Sequence, residues 1–255
     1  MKRTLLVTLL AILVMAVVGD AQRPRRPRPP QPPALTVNIP CPASITRIED
    51  CSDIGCSNER AFDPKLNLQK NIRTSSSRPI NKDFSDLAGL DDPVRGFVEG
   101  GSREALKTLG EGDLIRVVAY AVDVRAGSQE SCNCGLGRVR DTDNHIVLID
   151  PSDRSPSLAD EPNSLTAEFT PRVRLSHPKL SRAQLRPLIL AAPRQALLVR
   201  VTGLQMFDSF HSLHNPVPKG RDNNWEIHPV FHMEYCPNGR RCTAGSDVNW
   251  KNLEQ

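Results

Sequence analysis

The sequence predicts a mostly β protein: a five-stranded antiparallel barrel with one helix between its third and fourth strands, preceded by an irregular segment containing cysteines. Three observations carry this. Five runs rich in β-branched and aromatic residues follow Gly112, one stretch of helical periodicity interrupts them, and the chain before about residue 110 is polar and poorly periodic.

At the N-terminus, Lys2 and Arg3 precede an apolar run from Leu5 to Val18, and Gly19-Asp20-Ala21 offers small residues where a signal peptidase reads. Residues 1–21 are therefore expected to be a signal peptide cut after Ala21. The run is 14 residues long, whereas a spanning helix needs roughly 20. No second such run follows, so no membrane span is expected after cleavage. The mature protein is expected to be exported, periplasmic or extracellular.

Residues 22–34 are too dense in Pro for helix or ladder and predict an extended, disordered linker. The formal charge of +4 becomes +3 once Lys2, Arg3 and Asp20 leave, and Arg23, Arg25, Arg26 and Arg28 alone supply +4. The linker could thus contact anionic surfaces, while the rest is nearly neutral. Residues 35–110 form the irregular segment, with Cys41, Cys51 and Cys56 close together and no paired CxxC spacing. In an oxidising compartment these read as disulfide cysteines rather than zinc ligands. The chain has 7 cysteines, so one thiol is left over.

The barrel is placed at residues 111–242. Its strands are expected at Asp113–Val124, His145–Ile149, Leu165–Arg174, Ala196–Phe207 and Trp225–Cys236. Ser181 to Leu190 has apolar residues at helical spacing, with Pro187 expected to shorten or kink it. Three strands, one helix and two strands is the order of an OB-fold, the small partly open five-stranded barrel. Cys236 and Cys242 flank the turn sequence Pro237-Asn238-Gly239 and could close a small loop; residues 243–255 are a C-terminal tail.

Alternation is clearest in the last strand. Trp225, Ile227, Phe231, Met233 and Tyr235 point one way, into the barrel, and Glu226, His228, His232 and Glu234 point the other, to solvent or to a site. Asp143 and His145 begin the second strand and Asp208 and His211 follow the fourth, in loops that flank the ligand face of such barrels. His145, Asp208, His211, Glu226 and His228 are the expected binding residues. Asp143, His145, Asp208, His211 and His228 are the expected ligands if a divalent metal such as Zn is held. Cys132 and Cys134, with His145, offer an alternative soft-metal set.

Val199-Arg200-Val201-Thr202-Gly203, Met206-Phe207-Asp208 and above all Trp225-Glu226-Ile227-His228-Pro229 resemble exported bacterial proteins of unassigned function. Glu130-Ser131-Cys132-Asn133-Cys134, Asp143-Asn144-His145, Cys51-Ser52-Asp53-Ile54-Gly55-Cys56, Asp63 and Leu66 to Asn71 share that resemblance, which covers about residues 41–236 and implies no activity. Gly135 stands where such proteins often carry His.

The leading expectation is a non-enzymatic module binding an extracellular or periplasmic oligosaccharide, nucleic acid or protein. Between residues 112 and 236, 14 Lys and Arg balance 14 Asp and Glu, and aromatics are scarce. Tight sequence-independent nucleic-acid binding, which needs a basic groove and stacking platforms, is therefore disfavoured. The alternatives are a metal-dependent hydrolase of phosphodiesterase or nuclease type using the His/Asp/Glu cluster, and a structural cell-envelope protein.

Overall fold

A computed structural model of the chain describes residues 36–90, 100–214, 221–238 and 240–255. The expected signal peptide and the linker up to residue 34 lie outside them. In chain order the strands are β1 (Ile80–Asn81), β2 (Leu114–Ala126), β3 (Asn144–Ile149), β4 (Leu165–Phe169), β5 (Leu197–Phe207), β6 (Trp225–Tyr235) and β7 (Lys251–Asn252). The helices are α1 (Pro64–Lys70), α2 (Phe84–Ala88), α3 (Glu104–Lys107), α4 (Pro171–Arg174), α5 (Arg182–Ala191) and α6 (Ser209–His214).

Strands β2, β3, β4, β6 and β5 form a ring that the β2–β5 pairing closes, an OB-fold-like barrel. β2 serves two neighbours because it is long: Leu114–Ala121 pair with β5 and Tyr120–Ala126 with β3, with a bulge between Ala121 and Asp123 that lets the strand turn the corner. The ring is mixed rather than wholly antiparallel. Five strands cannot alternate in direction around a closed circle, and the obligatory parallel contact falls between β4 and β6, with Thr166 opposite Glu226. β1 adds beside β2 and β7 beside β6. The expected C-terminal tail is therefore part of the sheet, and its Leu253 lies in the main core. The described residues from 36 onward belong to one compact unit.

Element ends follow local chemistry. β4 stops at Phe169, short of the expected Arg174, because Thr170 Oγ1 accepts from Val173 N at 3.3 Å and Pro171 occupies the first position of α4. α5 runs through Pro187 to Ala191 without being shortened and buries Leu185 and Ile189, one turn apart. The barrel interior packs Ile115, Val117, Leu148, Val199, Val201 and Ile227, each worth about 1.5–3 kcal/mol of burial.

The expected alternation of β6 is broken. Against β5, the register slips by two residues between the Thr202–His232 and Gln205–Ile227 pairs. At the slip, a Cβ on Gly203 would come within 2.5 Å of the Pro229 carbonyl oxygen, so only Gly allows that approach. Trp225 packs with Phe207 and Leu106 in a separate cluster, while Ile227, Val230 and Met233 reach the main core. The expected single row of polar residues divides: Glu226 and His228 are buried, whereas His232 and Glu234 are half-buried.

Disulfides join Cys41–Cys56, Cys51–Cys134 and Cys236–Cys242, leaving Cys132 as the free, buried thiol. Three disulfides mark a non-cytoplasmic environment. Among the described residues no helix is long and apolar enough to cross a membrane.

Candidate functional site

The β4 neighbours on both sides supply the centre of the site. His145 of β3 sits directly opposite Glu168 of β4. On the other side, the parallel register that sets Thr166 against Glu226 brings His228, two residues further on, level with Glu168. His228 Nδ1 is 3.0 Å from Glu168 Oε2 and 3.4 Å from Glu226 Oε2, and His145 Nε2 is 3.4 Å from Glu168 Oε1. Asp143, just before β3, completes a buried set with Glu168 and His228 whose donor atoms lie within 4.8 Å of one another.

The loop from β2 to β3 adds Glu130 and Cys132, and it is held from outside the barrel. The Cys51–Cys134 bond anchors it to the N-terminal segment. Asn71, at the end of α1, donates to the Cys132 carbonyl at 3.0 Å and to that of Asp53 at 2.8 Å. Gly55 (φ +77°) touches the turn so closely that a Cβ would lie 2.0 Å from the Ser131 carbonyl oxygen. α1 is itself capped by Asp63, which accepts from Lys65 N at 2.8 Å. Its last residue, Lys70, is buried and donates to Glu130 Oε2 at 2.8 Å, 3.8 Å from Asp208 Oδ2.

A second, adjoining group forms where β5 ends. Asp208 accepts from His211 Nδ1 at 2.5 Å, and Arg221 bonds Glu226 while lying 3.8 Å from Asp208.

Five carboxylates (Glu130, Asp143, Glu168, Asp208 and Glu226) therefore share an interior with two permanent cations, Lys70 and Arg221. Arg172, buried beside Cys132, is paired with Asp53, so among the described residues three negative charges remain, to be met by protons or by a bound cation. Burial pushes the Asp143 carboxyl up to about 7, aided by Glu130 and Glu168. Burial also disfavours the His228 imidazolium, but Glu168, Glu226 and Asp143 outweigh it and hold the group well above the ordinary imidazole value. Glu168 raises His145 in the same way. Burial works against the Glu168 carboxylate, yet His145 and His228 keep it well below the carboxylate range. Burial likewise opposes ionised Asp208, and Lys70 and His211 reverse that.

Among the described residues, Asp143 Oδ2, Glu168 Oε2, Glu226 Oε2, His145 Nε2 and both His228 nitrogens are buried without a hydrogen-bond partner. The 3.0 Å approach of His228 to Glu168 is close but misdirected for hydrogen bonding. Such atoms cost about 1–3 kcal/mol each when left bare. Donors that face a common point instead of one another suit a cation. Ligands about 2 Å from zinc lie roughly 3–3.5 Å apart in a tetrahedron, a spacing the His228–Glu168 pair already has.

A cavity of about 250 Å³ lies against this interior, reaching Lys70, Glu130, His145 and His211. Its outer wall includes Arg60, whose guanidinium sits 4.4 Å over the Phe210 ring. His145 is the one member of the central set with partial exposure, and so joins cavity and cluster.

Of the expected metal ligands, Asp143 and His228 come together with Glu168, and His145 adjoins them through Glu168 and Glu130. Asp208 and His211 do not enter that set; they group with Glu226, where Lys70 and Arg221 already answer the charge. The expected soft-metal set fails at Cys134, which is disulfide-bonded. Sequence reasoning missed Glu168, Glu130, Lys70 and Arg221. Glu168 had a signal, a lone carboxylate inside the apolar strand Leu165–Phe169; Lys70 had none, because only the tertiary fold carries α1 to the barrel.

Comparison with protein-family models, curated proteins and solved structures finds no match for this chain.

Proposed function

We propose that this is an exported metal-dependent hydrolase of phosphate esters, with a divalent cation of zinc type held by Asp143, Glu168 and His228. The observation that carries the reading is the convergence of buried, unpartnered donor atoms from those three residues, which His145 and Glu130 connect to a cavity. Asp143, Glu168 and His228 would hold the metal, which would supply a nucleophile at neutral pH and polarise a phosphoryl oxygen. His145, between Glu168 and the cavity, is placed to move protons to and from bound groups. Arg60 and Lys70 share the cavity lining with Glu59, Asp63 and Glu130, so a bound divalent cation would supply the positive charge an anionic substrate needs. The cavity admits a small ester or one group of a polymer rather than an extended strand.

The test is protein secreted through an oxidising compartment, analysed for bound metal and assayed on bis(p-nitrophenyl) phosphate with and without chelator. Stoichiometric zinc, chelator-sensitive turnover and its loss in Glu168→Gln are expected. Protein that binds metal but turns over no ester would be a metal-binding module; protein that binds neither would return the reading to a polymer or protein-binding barrel.

A further inference from the structure

Among the donor groups beyond the Asp143–Glu168–His228 set, the one that holds the free cysteine is Glu130, Cys132 and Asp143, with ligand atoms mutually within 4.8 Å. Cys132 is the one cysteine not in a disulfide, and it is buried. Its Sγ lies 3.4 Å from Glu130 Oε2. Asp143, 1% exposed, turns an unpartnered Oδ2 into this interior. A free thiol in a chain that pairs its six other cysteines is conspicuous, and the structure places it among carboxylates rather than in the apolar core that a buried free cysteine ordinarily joins.

We infer that Cys132, Glu130 and Asp143 form a second cation position, selective for a thiophilic divalent metal such as Zn2+, with the Asp143 carboxylate shared between this position and the first. The inference rests on the metal reading above and extends it from one ion to a carboxylate-linked pair. As the metal binds, the sulfur–hydrogen bond breaks, the proton leaves to solvent and the thiolate becomes the ligand. Charge allows it: the five carboxylates and the thiolate, less Lys70 and Arg221, leave four negative charges for two divalent ions. Thiolate selects zinc-like ions over magnesium or calcium, which take oxygen ligands. The loop that carries Glu130 and Cys132 is fixed by the Cys51–Cys134 bond and by Asn71, so the sulfur is held in place before metal arrives.

Cobalt(II) titration of the disulfide-intact protein tests this. Two equivalents are expected, with visible ligand-field bands and a sulfur-to-cobalt charge-transfer band in the near-ultraviolet. Cys132→Ser should bind one equivalent, losing the charge-transfer band and keeping the ligand-field bands. One equivalent with no charge-transfer band in the unaltered protein overturns this inference and leaves the first site standing. No cobalt binding at all overturns both. The band in the unaltered protein decides the matter even where Cys132→Ser does not fold.

Discussion

The polar interior has two halves, and the chain treats them differently. Around Asp208 and Glu226, Lys70, Arg221 and His211 stand at or near hydrogen-bonding distance, and the atoms left bare are Arg221 Nε and Glu226 Oε2, the oxygen that faces His228. Around Asp143, Glu168 and His228, donors approach to about the same distances yet leave nitrogens and oxygens bare. A protein satisfies a buried carboxylate with its own cations where it needs only to fold. The half it leaves unbalanced is the one in which we propose that a cation binds.

The largest test of that contrast is Arg221→Met. Removing one side of a buried ion pair should cost about 3–5 kcal/mol in urea unfolding, and a loss near zero would show that the first half is not balanced by protein groups. Zinc should then act on the other half: at a thousand times its Kd it should stabilise the fold by about 4 kcal/mol, read as a rise in melting temperature that Arg221→Met retains if it folds. Asp143→Asn should do the opposite of Arg221→Met. With the carboxyl pushed up to about 7, its ionised form is unfavourable in metal-free protein. The amide should stabilise that protein at pH 8 by on the order of 2 kcal/mol while reducing the zinc response. Destabilisation instead would mean the half is not charge-strained.

A pH series sharpens the same point. Asp143, His145 and His228 all have raised values in the folded chain. Their stabilising contribution is complete below the unfolded values of roughly 4 for Asp and 6.5 for His and is lost as pH rises through the folded ones. Metal-free protein should therefore lose melting temperature as pH rises from about 4 to 7 through Asp143 and above about 6.5 through the histidines, and zinc should flatten the slope. Asp208 and Glu168, held low, lose their contribution only in acid. The smallest effect belongs to His232, four residues beyond His228 on β6. Burial lowers it, so any contribution is lost as pH falls below about 6.5. Nuclear magnetic resonance should find it titrating below the ordinary histidine value while His228 stays protonated; similar midpoints would erase the distinction.

What the sequence disclosed was local. Alternation and turn residues placed the five barrel strands to within a few residues because β-branched runs bounded by Gly and Pro have few other uses. The ends that moved, such as Phe169, moved because Thr170 and Pro171 make a better helix start than strand end. The β6 slip was hidden, since Gly203 and Pro229 are far apart in sequence and only their close approach divides the His and Glu row. The site was half legible. Asp143, His145 and His228 stand near strand ends where loops meet, but Lys70 and Glu130 act through an 83-residue disulfide link and a packed helix, neither of which has a periodic signature.

That link also sets a timetable. Asp143, Glu168 and His228 arrive on or beside strands of the barrel, but Glu130 and Cys132 stay on a loop whose anchor is Cys51, far upstream. A chain newly made in a reducing compartment has the barrel's ligands without their tether, and such a closure contributes roughly 4–5 kcal/mol by restricting the unfolded chain. Oxidation then works as a maturation step, and the loop that carries Glu130 and Cys132 is tied to Cys51 only once that disulfide has formed.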